Sequence, residues 1–98
     1  MPYLFLLLLS FFCLFSACRE SPETAVPSLV TKLSSSESGD RNRAALKLAS
    51  YGKKAEPAVK PLIRLLQDDN GGVRSSAAYA LRQIDTLEAR KALDEYQK

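Results

Sequence analysis

The stretch from Ala58 to Ile84, AVKPLIRLLQDDNGGVRSSAAYALRQI, holds two apolar patterns separated by a polar turn. Leu62, Ile63, Leu65 and Leu66 come before the turn, and Val73, Ala77, Ala78, Leu81 and Ile84 follow it. Intervals of three and four residues place each set on one side of a helix, and the strict alternation of a strand is absent. Asp68-Asp69-Asn70-Gly71-Gly72 interrupts the first helix, with Asn70 or Asp69 placed to cap the second. Pro57 suits a first helical turn, where its missing N–H costs nothing. Pro61 falls a little further in and predicts a slight bend.

The same arrangement occurs once earlier in the chain. At an offset of 33 residues Leu29 meets Leu62, and Glu23, Ala25, Val26 and Leu33 meet Glu56, Ala58, Val59 and Leu66. The match continues through the turn into the second helix: Gly39 with Gly72, Arg41 with Arg74, Ala44-Ala45 with Ala77-Ala78, Leu48 with Leu81, Tyr51 with Ile84. Two unrelated amphipathic helices would share spacing but not the turn between them, so the chain contains an internal repeat. The paired alanines let the second helix of each unit approach its neighbours, while Leu48, Leu62, Leu66 and Leu81 fill the space between helices. A last helix, about Leu87 to Gln97, turns Ala89, Ala92, Leu93 and Tyr96 to one side and makes half a unit. Lys91, Asp94, Glu95 and Lys98 give it the wet outer surface of a cap.

These residues resemble HEAT repeats, specifically the short HEAT-like repeats first associated with phycobilisome lyase proteins. AVKPLIRLL matches the first helix of that pattern and DDNGGVRSSAAYALRQI the turn and second helix, with Val73, Arg74, Ala77, Ala78, Ala80, Leu81 and Ile84 in place. Unit one departs from it, with Asp40 where Val is expected, Lys47 where Ala is expected, and Ser in place of the turn acids. The resemblance implies an all-α fold: a short right-handed α-solenoid of about two and a half helix-turn-helix HEAT-like repeats. The expected organisation is a signal peptide at 1–17, a tether at 18–24 and a repeat domain at 25–98. Within the domain the units run from about 25–52 and 56–85, with a terminal capping helix at 87–97.

The leader is read from Leu4–Ala17, LFLLLLSFFCLFSA, which is uncharged and shorter than the roughly 20 residues that span a bilayer. A cut after Ala17 would leave the bulky Phe15 where an ordinary secretory site wants a small residue. Phe15-Ser16-Ala17-Cys18 instead resembles a bacterial lipobox, although Leu is usual where Phe15 stands and Met1-Pro2-Tyr3 brings no Lys or Arg. The resemblance implies lipid on Cys18 and a protein anchored in the bacterial cell envelope, at a periplasmic or outer surface. A secreted chain cut after Cys18, or a single uncleaved N-terminal anchor, are the alternatives. The only other cysteine, Cys13, lies in the segment to be removed.

The sequence has no His. With no free thiol after processing, the common nucleophile–base pairs and transition-metal ligand sets lack members. No catalytic, cofactor-binding or metal-ligating residues are assigned, and neither a cofactor nor a small-molecule substrate is expected. Asp68-Asp69 reads as a solvated, helix-capping turn rather than a calcium site. Gly71-Gly72 lacks the Lys-Ser/Thr of a phosphate loop. Formal net charge is +3, yet Arg41, Arg43, Lys47, Lys53, Lys54, Lys60 and Arg64 face one acid, Glu56, between positions 41 and 64. Such a surface suits an acidic protein partner or anionic headgroups, against the plainer reading of a solvated helix face. An envelope location argues against nucleic acid. Arg41, Arg43, Lys47 and Arg74 are the candidate partner-binding residues, the equivalent pair Arg41 and Arg74 forming a ladder that bonds neighbouring turns or lines a surface.

The preferred function is a non-enzymatic protein–protein interaction module or scaffold tethered to the envelope, with an unidentified envelope protein as partner and the membrane held through the lipid on Cys18. The alternative is a scaffold subunit or remnant of a lyase-like enzyme complex. Replacing Cys18 by Ala is expected to abolish acyl labelling and to move the protein from the membrane to soluble or unprocessed pools. Labelling that persists in the variant contradicts the assignment.

Overall fold

The structure, a computed structural model, describes residues 21–98; the leader assigned to 1–17 and Cys18 lie outside the described residues. The elements are α1 (Pro22–Lys32), α2 (Ser38–Tyr51), a 3-10 helix (Gly52–Ala58), α3 (Val59–Leu65), α4 (Gly71–Ile84) and α5 (Leu87–Tyr96). No strand occurs among the described residues. The fold is all-α, a solenoid of the HEAT type.

Local chemistry sets most of the boundaries. Pro22 opens α1 at the position where a missing N–H is free, and Glu23 and Lys32 lie in its first and last turns, complementing the helix dipole. Residues 22–24, expected in the tether, are therefore the first turn of α1. Asn70 caps α4 by accepting the Val73 N–H at 3.0 Å, and Thr86 caps α5 through the Ala89 N–H at 3.1 Å. The first helix of unit two differs from the expectation in its course. A 3-10 segment precedes α3, and its irregular residue is Ala55 (φ −92°, ψ 17°) rather than Pro61. Pro61 is the third residue of α3, within the first α-helical turn, where proline is tolerated.

The helices form two layers. α1, the 3-10 helix, α3 and α5 carry the first-helix positions, and α2 and α4 carry the second. The broadest packing is α2 against α4; α1 rests on α2 and on the 3-10 helix, and α3 on α4 and α5. Ala45, Ala77 and Leu81 have no accessible surface, and Leu48, Leu62, Val73 and Ile84 are also fully buried. The paired alanines thus sit where helix axes approach, and the branched residues fill the space between layers. Tyr51 is half-buried against this core, whereas its repeat equivalent Ile84 is fully enclosed.

The exits from α2 and α4 are also equivalent. Gly52 (φ 58°, ψ −134°) and Asp85 (φ 57°, ψ 46°) stand 33 residues apart and are the two positive-φ residues described. Asp85 adopts the left-handed helical region, which a short polar side chain tolerates. Gly52 combines positive φ with a ψ that essentially only glycine adopts. A Cβ there would meet only the Gln83 carbonyl oxygen at 3.8 Å, so the constraint is torsional rather than steric crowding.

Two stability outcomes follow from this packing. Leu81→Ala is expected to cost about 2–5 kcal/mol, and an unchanged thermal melt would contradict the repeat register. Gly52→Ala is expected to cost about 1–3 kcal/mol through backbone strain alone, read from the midpoint of denaturant unfolding.

Candidate functional site

The two units are joined at their turns by one guanidinium. Arg41, in the first turn of α2, donates through Nη1 to the Ser35 carbonyl oxygen at 2.8 Å within its own unit. Its Nε and Nη2 grip both carboxylate oxygens of Asp68, in the next turn, at 2.9 and 3.0 Å. Only 14% of the Arg41 side chain and 8% of that of Asp68 remain exposed. A bidentate pair so enclosed is geometrically specific as well as attractive. Arg74 repeats the anchoring half of the pattern, donating from Nη1 to the Asp68 carbonyl oxygen at 2.6 Å. The turn bonds repeat as well. Ser35 Oγ accepts the Glu37 N–H at 3.2 Å, and at the equivalent place Asp68 Oδ1 accepts the Asn70 N–H at 2.9 Å.

This geometry separates the candidate residues into two groups. Arg41 bonds neighbouring turns and holds the stack together, whereas Arg74 is anchored in its own turn alone. Asp68 is the acid that locks the units, so the expectation of a solvated Asp68-Asp69 turn is corrected for Asp68, while Asp69 is exposed. The Arg41 hydrogen bonds hold the Asp68 carboxyl below its ordinary range, outweighing the burial that pushes it up; the Asn70 N–H acts in the same sense as Arg41. The same bonds raise the Arg41 guanidinium.

Arg43 and Lys47 belong to the second group, at the surface. Arg43 Nη2 reaches Asp40 Oδ1 at 2.6 Å, with 76% of its side chain exposed. Asp40 takes a second bond from Ser35 Oγ at 3.0 Å, and Ser35 first, then Arg43, keep its carboxyl below the usual range. Arg43 and Lys47 come together with Leu29, Lys32, Asp40 and Ala44 around an open groove of about 350 Å³ between α1 and α2.

Two residues that the sequence reading passed over lie beside them. Leu46 on α2 is 44% exposed and Tyr79 on α4 is 47% exposed. They stand 33 residues apart and so occupy the same position in the two units. Arg43, Leu46, Lys47 and Ser50 share one side of α2, and Ser75, Tyr79, Arg82 and Gln83 share one side of α4, by the three- and four-residue spacing of a helix surface. All eight are exposed. Beneath them Asn42 and Ser76 are hydrogen-bonded side chain to side chain, tying α2 to α4. The outer sides of two packed helices thus carry Leu46 and Tyr79 at one repeat position, with Arg43 and Lys47 on the side of α2 that borders the α1 groove and Arg82 on α4. The signal was legible as a second apolar match at the 33-residue offset, on the side of the helix away from the paired alanines.

Among the described residues no three His, Cys, Asp or Glu side chains gather in a metal-holding group, and no helix is long and apolar enough to cross a membrane. Compared with known proteins, residues 21–97 match a family model described as HEAT repeats. No curated protein and no solved structure matches the chain.

The Asp68 carboxyl gives a pH dependence with a defined sign. Because its folded value lies below the ordinary 3.8, its stabilisation is present in full well above 3.8 and is lost as pH falls through the lower folded value. Asp68→Asn is therefore expected to lower the melting temperature by several degrees near neutrality, with the gap to the natural chain closing in acid. A gap that is constant across that range would mean the ion pair contributes nothing.

Proposed function

The chain belongs to the HEAT repeat family, and from that membership we propose that it is a non-enzymatic protein–protein interaction module. HEAT repeats generally mediate contacts between proteins and are typically non-catalytic. The observation that carries the proposal is the face of α2 and α4. Singly exposed apolar residues are ordinary on any surface, but Leu46 and Tyr79 recur at one position on two helices packed side by side. Solenoids present surfaces of this extended kind to their partners.

The location we propose is the bacterial cell envelope, with the repeats displayed from a lipid on Cys18 and the partner another envelope protein. The support is the lipobox-like Phe15-Ser16-Ala17-Cys18 and its short spacing from the repeats, since α1 begins four residues after Cys18, at Pro22. So short a connection would hold the repeats close to the membrane surface.

A photocrosslinking residue at Tyr79 of the full-length chain, in the cells that produce it, tests the module. The expected result is one reproducible protein adduct from Tyr79 and none from a control probe at Lys60, which is exposed on α3. No reproducible adduct at Tyr79 would overturn the proposal.

A further inference from the structure

We infer that the α2/α4 face receives an acidic amphipathic helix of the partner, laid across both helices with two apolar side chains seated against Leu46 and Tyr79. The inference rests on the interaction-module reading and adds the chemistry of the partner. Charge carries it first. The exposed charged side chains along this face are Arg43, Lys47 and Arg82. Asp40 is the only acid within α2 or α4, and it is already engaged by Ser35 and Arg43. The other acids nearby are Glu37 and Asp69, in the turns before the two helices, and Asp85, which ends α4 and is paired with Arg90. Carboxylates of a partner therefore find Lys47 and Arg82, neither of them in an ion pair among the described residues, and Arg43 shared with Asp40, with acids at the turn end and Asp85 at the exit from α4. Complementarity of this kind selects the partner and steers its approach.

Spacing adds the second constraint. Packed helices lie about 8–10 Å apart, and Leu46 and Tyr79 hold one position on two such neighbours. A helix rises about 1.5 Å per residue, so a helix crossing the pair meets both with apolar residues about seven positions apart. Acidic residues beside each apolar one then lie over Arg43, Lys47 and Arg82. The aromatic ring of Tyr79 supplies a rigid amphipathic anchor at one end. The opposite layer offers a contrast: its groove of about 500 Å³ is lined by Pro22, Val26, Pro27, Val30 and Pro57, with one acid, Glu23, against one base, Lys54, and selects no sign of charge.

The probe is a stapled helical peptide of about 15 residues, a length at which an unstapled helix is marginal, with Leu at two positions seven apart and Glu on the same side. It is titrated into the repeat domain in the full chain and followed by backbone amide shifts. Saturable binding is expected, with shifts confined to α2 and α4 and weakening as salt is added. Leu46→Asp with Tyr79→Asp should weaken it at least tenfold, as should Arg43→Glu with Lys47→Glu, whereas Arg43→Lys with Lys47→Arg should retain it. An unchanged thermal melt of each variant shows that the fold is kept; a variant that melts early is replaced by Tyr79→Ser, for which the same weakening is expected.

Equal binding of a peptide with Lys in place of Glu, or with Ser in place of both Leu, overturns the inference. So does binding to phosphatidylglycerol vesicles through Arg43 and Lys47 with no binding of the peptide, which assigns the cations to a lipid surface. If the Tyr79 crosslink captures a partner through a neutral or basic segment, the module stands and this inference fails. If it captures nothing, the module reading fails with it.

Discussion

Arg41 is the point at which two units become one structure. Its side chain is fixed on one edge by the Ser35 carbonyl and on the other by both oxygens of Asp68, so it specifies the spacing of the turns as well as joining them. Once the turns are spaced, α2 and α4 must lie side by side. The alanine pairs at 44–45 and 77–78 then allow the close approach that buries Leu48 and Leu81. An enclosed ion pair is a modest source of net stability, because desolvation opposes the attraction, but removing one partner strands the other. Its larger consequence here is registry: a slip of one helical turn would leave Asp68 without its fork and Arg41 without its carboxylate.

The repeat is kept in its bonds more faithfully than in its residues. Ser35 and Asp68 differ in charge, yet both accept the N–H two residues on through their side chains and both offer a carbonyl to the arginine six residues on. Gly52 and Asp85 differ in chemistry, yet both reverse the chain with positive φ. Unit one has Ser35 where unit two has the carboxylate of Asp68, and it places Asp40 where unit two has the buried Val73. Asp40 stays half-buried at the helix start, where the dipole favours an acid, and ties Ser35 to Arg43.

Function follows from what this packing leaves outside. With the alanines, leucines and valines of α2 and α4 turned inward, Leu46 and Tyr79 remain on the outer side, and the bases near them have few acids to neutralise them. A rigid two-helix floor, held by Asn42 and Ser76 below and by the turn ladder at one end, presents those groups at fixed spacing. Fixed spacing is what allows one helix to be preferred over another, since little ordering entropy is spent by the receiving surface.

The amino-acid sequence by itself determined the helices, the 33-residue repeat, the membership of the core and the family, because all of these are written in periodicity and in matches at a constant offset. The turn cap was legible to within Asn70 or Asp69, since a side-chain oxygen at a helix start acts locally, and the structure chose Asn70. The tertiary structure decided the rest. That Arg41 joins two turns, while Arg74 is held in its own turn and Arg43 and Lys47 stay at the surface, depends on which cation has a carboxylate of the other unit within reach, and sequence distance does not give that. That Asp68 is enclosed and Asp69 exposed turns on a single residue of rotation at a turn. That the first helix begins at Pro22, and that the irregularity before α3 falls at Ala55 instead of Pro61, depends on how α1 and the 3-10 helix pack against each other and against α2. Leu46 and Tyr79 became a site only when burial of the opposite side showed that neither belongs to the core.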